Sequence, residues 1–143
     1  MYMGLFDRLT GNKNVQLTSK SALVLSAITV IAADGVIDEA EINDLAKIVR
    51  GDRKSIETAM QVMRANEATP LPDLIALVAN CLDEKQKLAT LTVLFDIAMA
   101  DGVLAGAEQK VLQLYVDKFG IPEATLKPII DTIAIKNDFS IFS

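Results

Sequence analysis

The sequence predicts an all-α fold, and three observations carry that prediction. Apolar residues make up 51% of the chain, while aromatics supply only 5% and Trp is absent. The core is therefore built from Ala, Leu, Ile, Val and Met, side chains better suited to helix packing than to a β-sandwich. Apolar positions recur at i, i+3, i+4 and i+7 in successive segments, with no strand-like alternation bounded by hairpin signals. The third observation is a repeat. Ala32-Ala33-Asp34-Gly35-Val36-Ile37-Asp38-Glu39-Ala40-Glu41 returns as Met99-Ala100-Asp101-Gly102-Val103-Leu104-Ala105-Gly106-Ala107-Glu108. Both Asp-Gly pairs and both downstream Glu residues lie 67 positions apart (101 − 34 and 108 − 41). A shared period with the same internal spacing argues for a duplicated structural unit. The expected architecture is two three-helix repeats, approximately residues 18–66 and 84–135, around two central buried helices. A connecting helix at 70–82 joins them within one domain spanning residues 1–143.

Residues 1–10 carry Leu5, Phe6 and Leu9 along the edge of a short helix expected to dock on the core, followed by a polar linker from Gly11 to Leu17. Ser19 to Ala33 is apolar almost all round, the mark of a buried helix, and Gly35 supplies a left-handed stop. Asp38 and Glu41 have the spacing of a capping box and open a helix with Ile42, Leu45, Ala46 and Val49 on one face. Gly51-Asp52 ends it, and a third helix runs from about Arg53 to Ala65 with Ile56, Ala59, Met60 and Met63 inward.

Thr69-Pro70-Leu71-Pro72-Asp73 is the clearest punctuation in the chain. Proline suits a helix start, and Leu74, Leu77, Val78 and Cys81 give the connector its inner face, with Cys81 a buried structural thiol. Asp83-Glu84 opens the second unit. Its central helix, 84–100, holds Leu88, Leu91, Val93, Leu94, Phe95, Ile97 and Met99, interrupted by Asp96. That carboxylate is expected to reach solvent or to pair with a lysine or a backbone donor. Beyond Asp101-Gly102, a helix with Leu112, Tyr115, Val116 and Phe119 on one stripe ends at Gly120-Ile121-Pro122. The last helix carries Leu126, Ile129, Ile130 and Ile133; Pro128 places its start later than Glu123, and residues 136–143 form a fraying tail.

Composition narrows the chemistry. With no His and one Cys, imidazole ligands, Ser-His and Cys-His catalysis, thiolate zinc sites and internal disulfides are all excluded. Ion chemistry must use oxygen ligands. Carboxylates without a further polar constellation do not make a hydrolase, so a non-enzymatic protein is expected. The net charge of −5 and the lack of a basic cluster argue against nucleic-acid binding. The N-terminus lacks signal-peptide features, and the longest apolar run, 22–33, is shorter than the roughly 20 residues that span a bilayer. A soluble, cytoplasmic, acidic protein is the expectation.

The acidic turns invite comparison with the EF-hand calcium loop. With Gly35 at that loop's sixth position, Asp34, Asp38 and Glu41 fall at the fifth, ninth and twelfth. The first half fails, because the first and third positions are Val30 and Ala32, or Ile97 and Met99 in the second copy, and none of these ligates a cation. Two readings stay open. Asp38 and Glu41 are fully explained as a helix cap. Yet the second copy keeps Asp101 and Glu108 although Ala105 replaces the capping Asp and Gly106 replaces Glu39, which a hard-cation site explains better. Such a site would be weak, for Ca²⁺, Mg²⁺ or Mn²⁺, and stronger at the first turn, where Asp38 adds a ligand.

On these doubled motifs the chain resembles the tellurite-resistance TerB-like family of small all-helical bacterial domains over roughly residues 18–135. The resemblance implies a duplicated three-helix architecture about two central helices. It also implies divalent-cation binding at Asp34, Glu41, Asp101 and Glu108, and a role as a stress-response module that docks a protein partner. It does not imply tellurite capture by this chain.

Overall fold

The computed structural model describes residues 16–35, 39–100 and 106–143, and leaves the side chains of Asp34 and Ile42 undescribed. Seven α-helices lie among those residues: α1 (Ser19–Ile31), α2 (Glu39–Ile48), α3 (Arg53–Ala65), α4 (Leu71–Ala79), α5 (Glu84–Met99), α6 (Gly106–Phe119) and α7 (Glu123–Asn137). Short 3₁₀ turns follow α1 at Ala32–Asp34 and α7 at Phe139–Phe142, and no strand is present among the described residues. The fold is all-α, as the composition and periodicity predict. The docked segment expected at residues 1–10 lies outside the described residues.

Helix α1 is the axis of the packing. Thr18 caps it: its hydroxyl accepts from the Ser21 N–H at 3.1 Å, while the Thr18 N–H donates to Ser21 Oγ at 2.7 Å. Every residue from Ser21 to Ile31 except Leu23 is buried, as its unbroken apolar surface requires. It packs against α3 and α5, and also meets α2, α4 and α6. The second central helix, α5, lies against α1, α6 and α7 and opens on a full capping box. The Gln86 N–H donates to Asp83 Oδ1 at 2.8 Å, and the Asp83 N–H to Gln86 Oε1 at 2.9 Å. Its burial is one-sided, through Thr90, Leu91, Leu94, Phe95 and Ala98.

The hydroxyls inside α1 are all used. Ser26 Oγ donates to Ala22 O at 2.8 Å, and Thr29 Oγ1 to Ser26 O at 2.7 Å. Thr29 Oγ1 also lies 2.6 Å from the Tyr115 hydroxyl of α6. Because the Thr29 proton is committed to Ser26 O, the phenol is the donor to Thr29. Tyr115 is fully buried and stacks edge-on against Phe119, with ring centroids 5.5 Å apart. No buried side-chain nitrogen or oxygen lacks a hydrogen-bond partner among the described residues, as a well-packed core demands.

Several local expectations are corrected. On α3, Ala59 is buried and Ile56 and Met63 pack against the core as expected, whereas Met60 is 44% exposed and Ser55 and Val62 are buried beside them. Asp52 caps α3, accepting from both the N–H and the hydroxyl of Ser55, which satisfies that buried polar side chain. Helix α4 ends at Ala79 and buries Leu74, Ile75 and Val78, leaving Leu77 43% exposed. Cys81 is half-buried rather than fully buried, because it falls in the turn after α4, where its thiol contacts Leu77 O at 3.4 Å. Partial burial raises its pKa.

Helix α7 begins at Glu123 despite Pro128. Pro128 and Ala124, whose carbonyl loses the helical N–H, are both exposed, so water can serve that carbonyl. The C-terminal segment is not frayed: α7 runs to Asn137, and Asp138 then caps the last 3₁₀ turn by accepting from the Ser140 N–H at 3.1 Å.

Both interruptions in the first half use positive φ. Gly35 sits at φ +121° and its N–H returns to Ala32 O at 3.0 Å. Helix α2 ends in a Schellman turn, with Gly51 N–H to Ala46 O at 2.7 Å and Arg50 N–H to Lys47 O at 3.1 Å.

Candidate functional site

The ends of the two central helices lie together. Ile31 at the end of α1 and Ala98 and Ala100 at the end of α5 line one cleft of about 380 Å³. Neither helix has a basic residue in its last turn, so neither offsets the partial negative charge of its C-terminal end from within its own last turn.

Glu41 and Glu108 line the same cleft. Each is the third residue of its helix, α2 or α6, where a carboxylate is favoured by the helix N-terminus. Each is half-buried, and each makes further polar or charge interactions within the protein. The two glutamates of the repeated motif thus share one space although 67 positions separate them in sequence (108 − 41). Of the other predicted site residues, Asp38 and Asp101 lie outside the described residues, as does the side chain of Asp34.

Three charged residues that motif reasoning missed also line the cleft: Asp44, Asp96 and Lys136. Asp44 is one turn beyond Glu41 on α2 and is exposed, 3.8 Å from Lys47. Asp96, the interruption in the apolar run of α5, takes the paired option left open by the sequence. Lys136 Nζ donates to its Oδ1 at 2.9 Å and its Oδ2 at 3.0 Å, and Asn137 Nδ2 to Oδ1 at 3.2 Å. This two-residue clamp fastens the end of α7 to α5. Its partners are 40 and 41 positions away, a distance at which local pattern gives no signal.

The cleft is therefore lined by four carboxylates and one ammonium. The described lining offers oxygen groups and no nitrogen or sulfur ligand. Among the described residues, no group of three or more His, Cys, Asp and Glu side chains is placed to hold a metal ion. Also among these residues, no helix is long and apolar enough to cross a membrane.

A second, larger cavity, about 700 Å³, lies between α5, α6 and α7 and is walled by apolar side chains including Phe95, Leu112 and Ile130.

A family model described as tellurite resistance protein TerB matches residues 20–129. No curated protein matches the chain. No solved structure matches it.

Proposed function

The chain belongs to the TerB family, which makes it a tellurite-resistance-related module at family level, and from that premise we propose that it works without catalysis, as a cation-responsive docking module. In this reading a divalent cation is held weakly between the two acidic turns, and the face formed by those turns docks a protein partner in a stress response within the cytoplasm. The observation that carries it is the meeting of Glu41 and Glu108 in one cleft, at the converging C-terminal ends of α1 and α5. Those two glutamates supply hard oxygen ligands but are too few alone. On this proposal the motif residues Asp34, Asp38 and Asp101, assigned from the sequence alone, would supply the others. Exposed positions on both sides of the turns, Glu39, Ala40, Asn43 and Ala107, leave room for a partner to contact the same face.

A purely structural interaction domain is the second reading. What favours it is the third-residue position of both glutamates, where a helix cap alone would place them.

Calorimetric titration with Ca²⁺, Mg²⁺ and Mn²⁺ separates the two. Ca²⁺ prefers 6–8 oxygen ligands, so a site completed by carbonyls and water has an expected Kd of about 10⁻⁴–10⁻³ M. Glu41→Gln and Glu108→Gln should each weaken binding about tenfold or more, the effect of roughly 1.4 kcal/mol of lost charge interaction. A wild-type protein that takes up none of the three ions at millimolar concentration leaves the capping reading standing.

A further inference from the structure

Four large apolar side chains at the end of the chain are exposed: Ile135 at 62%, Phe139 at 77%, Ile141 at 56% and Phe142 at 78%. They are held in a defined arrangement. The Asp96 clamp fixes Lys136 and Asn137, Asp138 caps the following 3₁₀ turn, and the two phenyl rings sit with centroids 6.4 Å apart. The same molecule carries the α5–α6–α7 groove, whose floor is apolar through Phe95, Leu112, Val116 and Ile130 and whose rim carries Glu123, Lys127 and Asp131. The tail does not fill the groove of its own molecule, since both phenyl rings remain more than three-quarters exposed. The α7 wall of the groove is formed by residues between Glu123 and Asp131, before the clamp, whereas the tail lies after it.

We propose that a second copy of this chain completes both features, with Phe139 and Phe142 of each copy seated in the α5–α6–α7 groove of the other. The surface involved is large enough. Phenylalanines at this exposure bring roughly 150 Å² each, so with the two isoleucines each tail contributes on the order of 500 Å². Reciprocal exchange doubles that, and the groove walls covered in return bring the total within the roughly 1,200–2,000 Å² of a stable interface. Charge permits the approach as well. Each copy carries a net charge of −5 and the groove holds Glu123, Lys127 and Asp131, but residues 138–143 hold a single acidic side chain, Asp138, so the tail brings little charge to the groove. A two-fold exchange closes on itself and leaves no apolar groove open for further growth. Neither the tail nor the groove uses one of the proposed ion ligands; the two regions share only the Asp96–Lys136 clamp at the cleft edge.

Sedimentation equilibrium over micromolar to submillimolar concentration tests it. The wild-type chain should move from 15.5 kDa toward twice that mass. Two variants should stay monomeric: the double variant Phe139→Ser/Phe142→Ser, which removes the tail, and Ala124→Arg, which places a charged side chain in the groove from an exposed position. An equimolar mixture of the two has one intact tail and one intact groove. It should form a heterodimer weaker than the wild-type dimer but absent from either variant alone, with helical circular dichroism unchanged throughout. A wild-type chain that remains at 15.5 kDa, an Ala124→Arg variant that dimerises like wild type, or a mixture that stays monomeric would each overturn the exchange.

Discussion

Tyr115→Ala should lower the free energy of unfolding by about 3–5 kcal/mol, the range for removing a large aromatic from a packed core. The ring is fully buried, meets Phe119 edge-on and carries the hydroxyl that donates to Thr29. Its loss opens a cavity between α6 and α1 and removes a hydrogen bond linking the two halves of the chain. Against a typical stability of about 5–15 kcal/mol, that is a major fraction, and the melting temperature should fall by about 10 °C or more. Tyr115→Phe isolates the polar part. It keeps the packing and loses only the bond to Thr29, so it should cost about 1 kcal/mol. Denaturant unfolding of both variants checks the pair, and an alanine variant no weaker than the phenylalanine one would contradict this account of the core.

The same residue predicts an alkaline transition. Burial pushes the Tyr115 hydroxyl up to about 12 from an ordinary value of 10. The folded state therefore holds the phenol proton more tightly than the unfolded chain does. This contribution is fully present below pH 10 and is lost as pH rises through 12. It amounts to roughly 3 kcal/mol for a shift of about two units. Unfolding free energies measured from pH 8 upward should show this loss in wild type and not in Tyr115→Phe. Other alkaline titrations are common to both proteins and cancel in the difference. Equal slopes in the two proteins would contradict the assignment.

What the sequence made legible was whatever is encoded locally. The unbroken apolar surface of Ser19–Ile31, the stop at Gly35 and the punctuation at Pro70 and Pro72 are properties of short windows, and each corresponds to an observed feature. On α3 the spacing holds for Ile56, Ala59 and Met63 but not for Met60, because Met60 and Val62 satisfy apolar spacing equally well and only packing decides that Val62 is the buried one. Pro128 looked like a boundary because propensity assumes a carbonyl left without water, whereas Ala124 is exposed. Cys81 has the right spacing for a helix face but lies beyond the helix that would have buried it.

The candidate site was legible in part. The recurrence of Glu41 and Glu108 pointed to paired turns, but whether the turns meet depends on how α1 and α5 pack, which no local pattern records. Lys136 joins the cleft for the same reason: only the packing of α7 on α5 brings it to Asp96.

The most direct measurement of the central proposal, that the two turns serve one ion, is an amide NMR titration with Ca²⁺ or Mg²⁺ in wild type and Glu41→Gln. A single cation between the turns should shift the amides around Glu41 and those around Glu108 together, along one binding curve. Removing the carboxylate of Glu41 should then diminish the response at Glu108 and Gln109 as strongly as at its own turn. Two independent curves, or a second turn that responds to the ion unchanged in Glu41→Gln, would contradict a shared site.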